Sequence, residues 1–459
     1  MTQQSSRRAF LRHASALSMA GVAAPWALNL AALSQASAAT AADYKALVCV
    51  FLYGGNDYGN TLVPYDASTY ALYQALRPTL AYTHDSLTPT VLMPAAALPN
   101  GLQYALAPEL SPLLPIFNAG KLGVLLNIGT LIQPTTKAQY LARNVPLPPK
   151  LFSHNDQQSF WQSSGAEGTT SGWGGRLGDL FEAGNTTATF TCVNVSGNAV
   201  FLSGSTAVQY QMTSNGSVSI NAIKNAMFGS QPCSDALRAI LTGTRTHLFE
   251  SELTSVTKRS IDANDQLTAA LTTTPAINTV FPANNSLGAQ LKMVARMIAT
   301  SSALGIKRQV FFVSMGGFDT HTGLLTVHPG LLTSVADAVS AFYAATVELN
   351  VANQVTTFTA SDFGRTLTVN SDGSDHGWGS MHFVLGGAVK GQSFYGAPPA
   401  VANNGPDDVG QGRLLPTTSV DQLAATLGTW LGASAVDLQT VLPNLANFNA
   451  SVRNLGFLG

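Results

Sequence analysis

Ala46-Leu-Val-Cys-Val-Phe-Leu-Tyr53 is apolar or aromatic at every position and stops at Gly54-Gly55. A run of strand length with no polar face is a strand buried on both sides, the kind from which parallel sheets are built. Gly123-Val-Leu-Leu-Asn-Ile-Gly129, Gln309-Val-Phe-Phe-Val-Ser-Met315 and Gln354-Val-Thr-Thr-Phe-Thr-Ala360 repeat the pattern, and His382-Phe-Val-Leu385 is a shorter fifth candidate. Between the third and fourth runs, Leu332, Val335, Val339, Phe342 and Val347 recur at helical spacing, which makes a strand–helix–strand unit. Ser419 to Trp430 reads as a capped helix with Leu423, Leu427 and Trp430 on one face. The expected fold is α/β, a central and mostly parallel sheet sandwiched by helices.

Ser6-Arg7-Arg8-Ala9-Phe10-Leu11-Arg12, the Ala/Leu-rich stretch to Leu33 and Ala36-Ser37-Ala38 resemble a bacterial twin-arginine export signal with its cleavage site. Residues 1–38 are therefore expected to engage the twin-arginine export machinery and to be removed, leaving a periplasmic or secreted protein. No later segment offers about 18 uninterrupted apolar residues, so no stable membrane insertion is expected after removal. Loss of Arg7, Arg8 and Arg12 leaves 20 basic against 24 acidic side chains. That balance lacks the basic face a nucleic-acid binder needs. Residues 39–459 read as one domain with a central excursion at about 130–300. Within it, residues 185–222 suggest short strands at the sheet edge, and 235–305 carry helical patterns. Cys49 is expected as a buried thiol, and Cys192 with Cys233 is an open disulfide option in an oxidising compartment.

Charged residues make up only 10% of the chain, so acids at three apolar strand exits call for an explanation. The exits are Gly54-Gly-Asn-Asp57, Gly316-Gly-Phe-Asp319-Thr-His321 and Ser361-Asp362-Phe-Gly-Arg365, with His376 in a glycine-rich loop before the fifth run. Ligands of open parallel sheets bind beyond the carboxyl ends of strands. Asp57, Asp319, His321, Asp362 and His376 are therefore the candidate metal ligands. Carboxylates with imidazoles suit zinc or manganese, and oxygen-rich sets suit calcium. The alternative for each Asp is a helix cap or turn. His328, before Pro329-Gly330, and His382, within the fifth run, have readier structural readings.

The carriers of a family resemblance are Phe51-Leu-Tyr-Gly-Gly-Asn-Asp57, Leu151-Phe-Ser-His-Asn-Asp-Gln-Gln158 with Trp161, Gly316-Gly-Phe-Asp-Thr-His321, Ser361-Asp-Phe-Gly-Arg-Thr366, Asp375-His-Gly-Trp-Gly379 and Leu385-Gly-Gly-Ala-Val-Lys-Gly391. Together they resemble the DUF1501 proteins of the alkaline-phosphatase/sulfatase superfamily. The resemblance implies an alkaline-phosphatase-like fold with one or two divalent ions at the carboxyl edge. It also implies a Ser, Thr or modified Cys nucleophile at a helix N-terminus. The Asp-x-His spacing is tighter than the Asp-x-x-x-His of the zinc phosphatases, and Phe363 stands where those enzymes place a second ligand histidine, which points to a one-metal or calcium-type site. Ser153 is the favoured nucleophile, with Thr61, Thr135 and Thr136 as alternatives, and Arg365 is the candidate to hold a small anionic ester substrate.

The leading expectation is an exported, metal-dependent hydrolase of phosphate or sulfate esters. The alternative is a catalytically silent periplasmic relative that binds a ligand or partner. A serine esterase is disfavoured because no Gly-x-Ser-x-Gly occurs, and a dinucleotide enzyme because no Gly-x-Gly-x-x-Gly follows the first strand.

Overall fold

The computed structural model describes residues 43–459; the export signal expected over residues 1–38 lies outside them. The four long apolar runs become β1 (Lys45–Leu52), β4 (Leu122–Gly129), β8 (Arg308–Met315) and β9 (Val355–Ser361), and the shorter one becomes β10 (Ser380–Gly386). Short strands complete the set. β2 (Leu62–Pro64) and β3 (Tyr104–Leu106) pair with each other. β5 (Cys192–Asn194), β6 (Tyr210–Thr213), β7 (Gly216–Ser217), β11 (Ser393–Tyr395) and β12 (Thr418–Ser419) join the main sheet. Its order is β11-β4-β10-β9-β1-β8-β5-β6-β7, with β12 also on β4. β1 pairs in parallel with β8 and β9, while β10 runs antiparallel to both β9 and β4.

Alternation along β1 divides the interior into two cores, because successive side chains of a strand point to opposite faces. Val48 and Val50 enter a core with Phe311 and Val313. Helices α4 (Ser286–Ala299) and α5 (Leu324–Glu348) cover that face through Leu291, Val294, Leu332, Val335 and Phe342. Leu47, Cys49 and Phe51 enter the other core with Val310, Phe312 and Phe358. There α1 (His154–Ser163), α2 (Trp173–Phe181) and α6 (Val420–Leu431) supply Trp161, Trp173, Leu177, Leu423 and Leu427. Helices thus lie on both faces, as buried parallel strands require. α5 is long and apolar enough to span a membrane, but its apolar stripe is buried against the sheet. Truncating any of these core leucines to alanine is expected to cost about 2–5 kcal/mol.

The stretch from 130 to 300 adds to the sheet as well as covering it: β5 pairs in parallel with β8, and β6 with β5. α3 (Leu248–Thr273) lies beyond them. All three cysteines are free, Cys49 and Cys192 buried and Cys233 half-buried, so the Cys192–Cys233 option is not taken up.

Candidate metal centre

Leu52 sits opposite Met315 on one side and Ser361 on the other, so β1, β8 and β9 release the chain at one level. Two glycines allow the loops to meet there. Gly54 has φ +118°, and a Cβ on it would lie 2.4 Å from the Asp319 backbone nitrogen. Gly55 has φ +83°, and its Cβ would strike the Phe363 ring. β10 is antiparallel, so the loop before it, with His376, reaches this same edge.

Asp319, His321, Asp362 and His376 come together at the edge, and His154, at the start of α1, joins them. The ring nitrogens of His154 and His376 and the Asp319 carboxylate form a group whose ligand atoms all lie within 4.8 Å of one another. His321 Nε2 and His376 Nε2 face each other at 2.8 Å. Each is 3.2 Å from Asp319 Oδ1, and His154 Nε2 is 3.5 Å from Asp319 Oδ2.

The outward nitrogens explain this convergence. His154 Nδ1 pairs with Asp362 Oδ2 at 2.6 Å, His321 Nδ1 with Asp375 Oδ1 at 3.3 Å, and His376 Nδ1 with the Phe152 carbonyl at 2.7 Å. Each partner is an acceptor, so each ring donates from Nδ1 and turns its Nε2 inward, where the 2.8 Å approach of His321 to His376 calls for a proton or a cation between the two lone pairs. An acceptor behind each imidazole is the usual support of a metal-binding histidine. Phe152, at φ +73°, holds its carbonyl there from a left-handed backbone.

Charge follows the same geometry. The hydrogen bond to Asp362 raises the His154 pKa above its ordinary value, against the effect of burial. Burial lowers that of His376, with the positive neighbours His154 and Arg365 adding to the shift. For Asp319 burial pushes upward, but the Arg365 hydrogen bond and charge outweigh it and hold the carboxyl below its usual range. The edge thus presents an ionised carboxylate among imidazoles, a donor set suited to a divalent cation.

Three of the expected site residues are engaged by the chain itself. Asp57 is fully buried and takes both terminal nitrogens of Arg77, the residue that ends the helix Ala67–Leu76. It also caps the turn Tyr58–Asn60 through the Gly59 N–H, so both carboxylate oxygens are occupied and it is not part of the cluster. Asp362 is buried behind His154, where its Oδ2 also accepts from Gly54 N–H at 3.1 Å and Gln158 Nε2 at 2.8 Å and so orients the ring, while its Oδ1 has no hydrogen-bond partner among the described residues. Arg365 is fully buried, bonded to Ser374, the Gly54 carbonyl and Asp319, and presents no free fork to a substrate. Arg413, half-buried, is a second cation beside the cluster. It donates Nε to the His376 carbonyl at 2.8 Å and lies 4.9 Å from the Phe152 ring centre.

Ser153 is the N-cap residue of α1, between Phe152 and His154, and its hydroxyl donates to Asp156 Oδ2 at 2.8 Å. Thr136 caps the helix Lys137–Ala142, Thr135 donates to the Gln133 carbonyl, and Thr61 donates to the Asp57 carbonyl; none of these hydrogen bonds reaches the cluster. Phe363 packs its ring against both His154 and His376. His154 is not singled out by the strand exits; its sequence signal is a histidine in the first turn of the helix that Ser153 opens.

The fold and the edge cluster define a class: an α/β protein carrying a histidine–carboxylate centre at the carboxyl end of a parallel sheet. Residues 44–438 match the family described as Protein of unknown function (DUF1501), and the chain belongs to that family. Comparison with curated protein sequences gives no match. Among solved structures the chain is similar to Ps i-CgsB in complex with k-i-k-neocarrahexaose, at 11% identity and TM-score 0.37, covering 88% of this chain and 77% of that one. It is also similar to the lipoteichoic acid synthase LtaP from Listeria monocytogenes, at 9% identity and TM-score 0.32, covering 87% and 74%.

Proposed function

We propose that this chain is an exported, metal-dependent hydrolase of phosphate or sulfate esters that works with one cation. The observation that carries the reading is the set of three imidazoles, each held from behind on Nδ1 and each turning Nε2 toward Asp319. His154, Asp319, His321 and His376 would hold the ion, and three nitrogen donors favour zinc or manganese over calcium. A bound cation would supply a Lewis acid that polarises an ester oxygen and offsets the charge developing on it. Around it the chain's own groups position the reaction. Asp362, Asp375 and the Phe152 carbonyl fix the rings, and Arg365 holds Asp319. Arg413 is placed to attract an anionic ester. Ser153, at the positive end of α1, is the candidate nucleophile, and Asp156 is the acceptor that orients its hydroxyl.

A second reading rests on a specific observation. The Ser153 hydroxyl is engaged by a carboxylate and not by a histidine, which suits a relative that binds anions at this edge without turning them over. Elemental analysis of chelator-free protein, followed by a screen of chromogenic phosphate and sulfate esters, separates the two. About one equivalent of zinc or manganese with ester turnover abolished in Ser153→Ala supports the hydrolase. Metal without turnover of any ester supports the silent relative, and absence of metal after incubation with both ions refutes the centre.

A further inference from the structure

α3 is divided into two halves that share one apolar seam. Phe249, Leu253, Val256, Ser260, Ala263, Leu267 and Ala270 recur at alternating steps of four and three, the spacing of a two-helix coiled-coil face. In the second half the seam is covered: Ala263, Leu267 and Ala270 are buried in the domain core. In the first half it is bare, with Phe249 78%, Leu253 68% and Val256 47% exposed, and Leu248 beside them 77% exposed. Every hydrogen bond and ion pair made by the side chains of residues 250–259 stays within this helix, including Glu252–Arg259 and Lys258–Asp262. On those turns Ser251, Thr254 and Thr257 are half-buried and the other side chains are exposed. Thr254, Val256 and Thr257 are poor helix formers, and about three turns of helix are marginal alone in water.

We infer that this half of α3 is a homodimer surface, on which a second copy of the chain packs its own α3 antiparallel about a two-fold axis. The argument for a second copy is self-complementarity, which a two-fold interface demands. Antiparallel pairing centred between Thr254 and Ser255 sets Leu253 against Val256 of the copy and Phe249 against Ser260 of the copy, a large side chain facing a small one. Glu252 and Arg259 lie one heptad apart on the same flank of the seam. In an antiparallel pair equivalent flanks meet, so Glu252 faces Arg259 of the copy and Arg259 faces its Glu252. Both charge pairs form at once in exchange for the 3.4 Å Glu252–Arg259 pair within each helix, and no like charges are opposed along that flank. Four layers make a short interface, so dimerisation in the micromolar range is expected.

The test is sedimentation equilibrium of the purified chain over a wide concentration range. A reversible monomer–dimer equilibrium is expected. Leu253→Glu should abolish the dimer while leaving the circular dichroism and melting curve unchanged, because the residue is exposed in the monomer. Glu252→Arg should weaken the dimer about tenfold by replacing two attractions with two repulsions. Adding Arg259→Glu to it should restore the dimer, which reports flank-to-flank antiparallel pairing. A wild-type chain that stays monomeric throughout overturns the proposal. So does a dimer indifferent to Leu253→Glu, or a monomer that instead co-sediments with lipid vesicles through these side chains.

Discussion

Two strands of this sheet end in nearly the same words, Gly54-Gly-Asn-Asp57 and Gly316-Gly-Phe-Asp319, and the two aspartates meet opposite fates. Asp57 is fully buried and closed by the guanidinium of Arg77. Asp319 is 44% exposed and surrounded by the nitrogens of three histidines, with Arg365 behind it. The shared motif specifies a backbone route off the strand. The chemistry at its end is decided by what the rest of the chain delivers there. At one exit the chain delivers an arginine, so a fixed organic cation stands beside the carboxylate. At the other it delivers three imidazoles, whose Nε2 atoms face the carboxylate.

Removing the fixed cation should break the contrast most severely. Arg77→Met leaves the Asp57 carboxylate buried without a partner and is expected to destabilise the chain by about 3–5 kcal/mol, read from urea unfolding. An effect below about 1 kcal/mol would mean that Asp57 is not held by this pair.

The glycines give a second, internally controlled comparison. Gly54→Ala forces a Cβ into the Asp319 backbone at an unfavourable φ and should cost about 2–4 kcal/mol, shifting Asp319 as well. At Gly316 a Cβ meets open space, so Gly316→Ala should change stability by no more than about 0.5 kcal/mol. Equal effects at the two positions would show that the exits are not distinguished by close approach.

Acid should act on the closed side through a buried imidazole, as it also does at His382 in β10, whose pKa burial lowers to about 3. His328 is buried against Asn56, and burial depresses its pKa from 6.5 to about 4. The unfolded chain therefore binds a proton that the folded chain refuses between those values. The neutral ring's contribution is complete above pH 6.5 and is lost as pH falls toward 4, amounting to about 3 kcal/mol. Asp57, held below its usual value by Arg77 against burial, adds its own loss only below about pH 3.8. Thermal melts from pH 7 to 4 should fall steadily, and His328→Gln should flatten that slope.

The smallest effect on stability belongs to the open exit. His321→Ala removes a half-exposed ring and should change unfolding free energy by less than about 1 kcal/mol, yet lower zinc or manganese affinity at least about tenfold by calorimetric titration. Unchanged metal affinity would remove His321 from the centre.

The strands were legible because their signal is local and complete: a run with no polar face has one comfortable home. The run expected at 309–315 is β8, Arg308–Met315, and the one at 354–360 is β9, Val355–Ser361. Gathering Asp319, His321, Asp362 and His376 at one edge was legible for the same reason, since it follows from strand exits. The partners were not legible. Arg77 sits twenty residues beyond Asp57 at the end of a separate helix, and nothing in either segment announces the pairing. The direction of β10 was equally hidden, because a short apolar strand reads alike in both directions. Spacing alone does not distinguish a carboxylate that faces the open edge from one that steadies a ring there, as Asp362 steadies His154.

The placement of β1 has a consequence in time. Its residue Lys45 pairs with Arg308, and Ala46 with Val355, so the first strand made is the one enclosed by strands that emerge from the ribosome much later. At about 5–20 residues per second, β1 waits on the order of 10–50 s for its first neighbour. Throughout that wait an apolar ribbon with two open edges must be kept from other chains. A chain cut short before β8 leaves both edges of β1 unpaired, so it is expected to aggregate and not to form a smaller working domain.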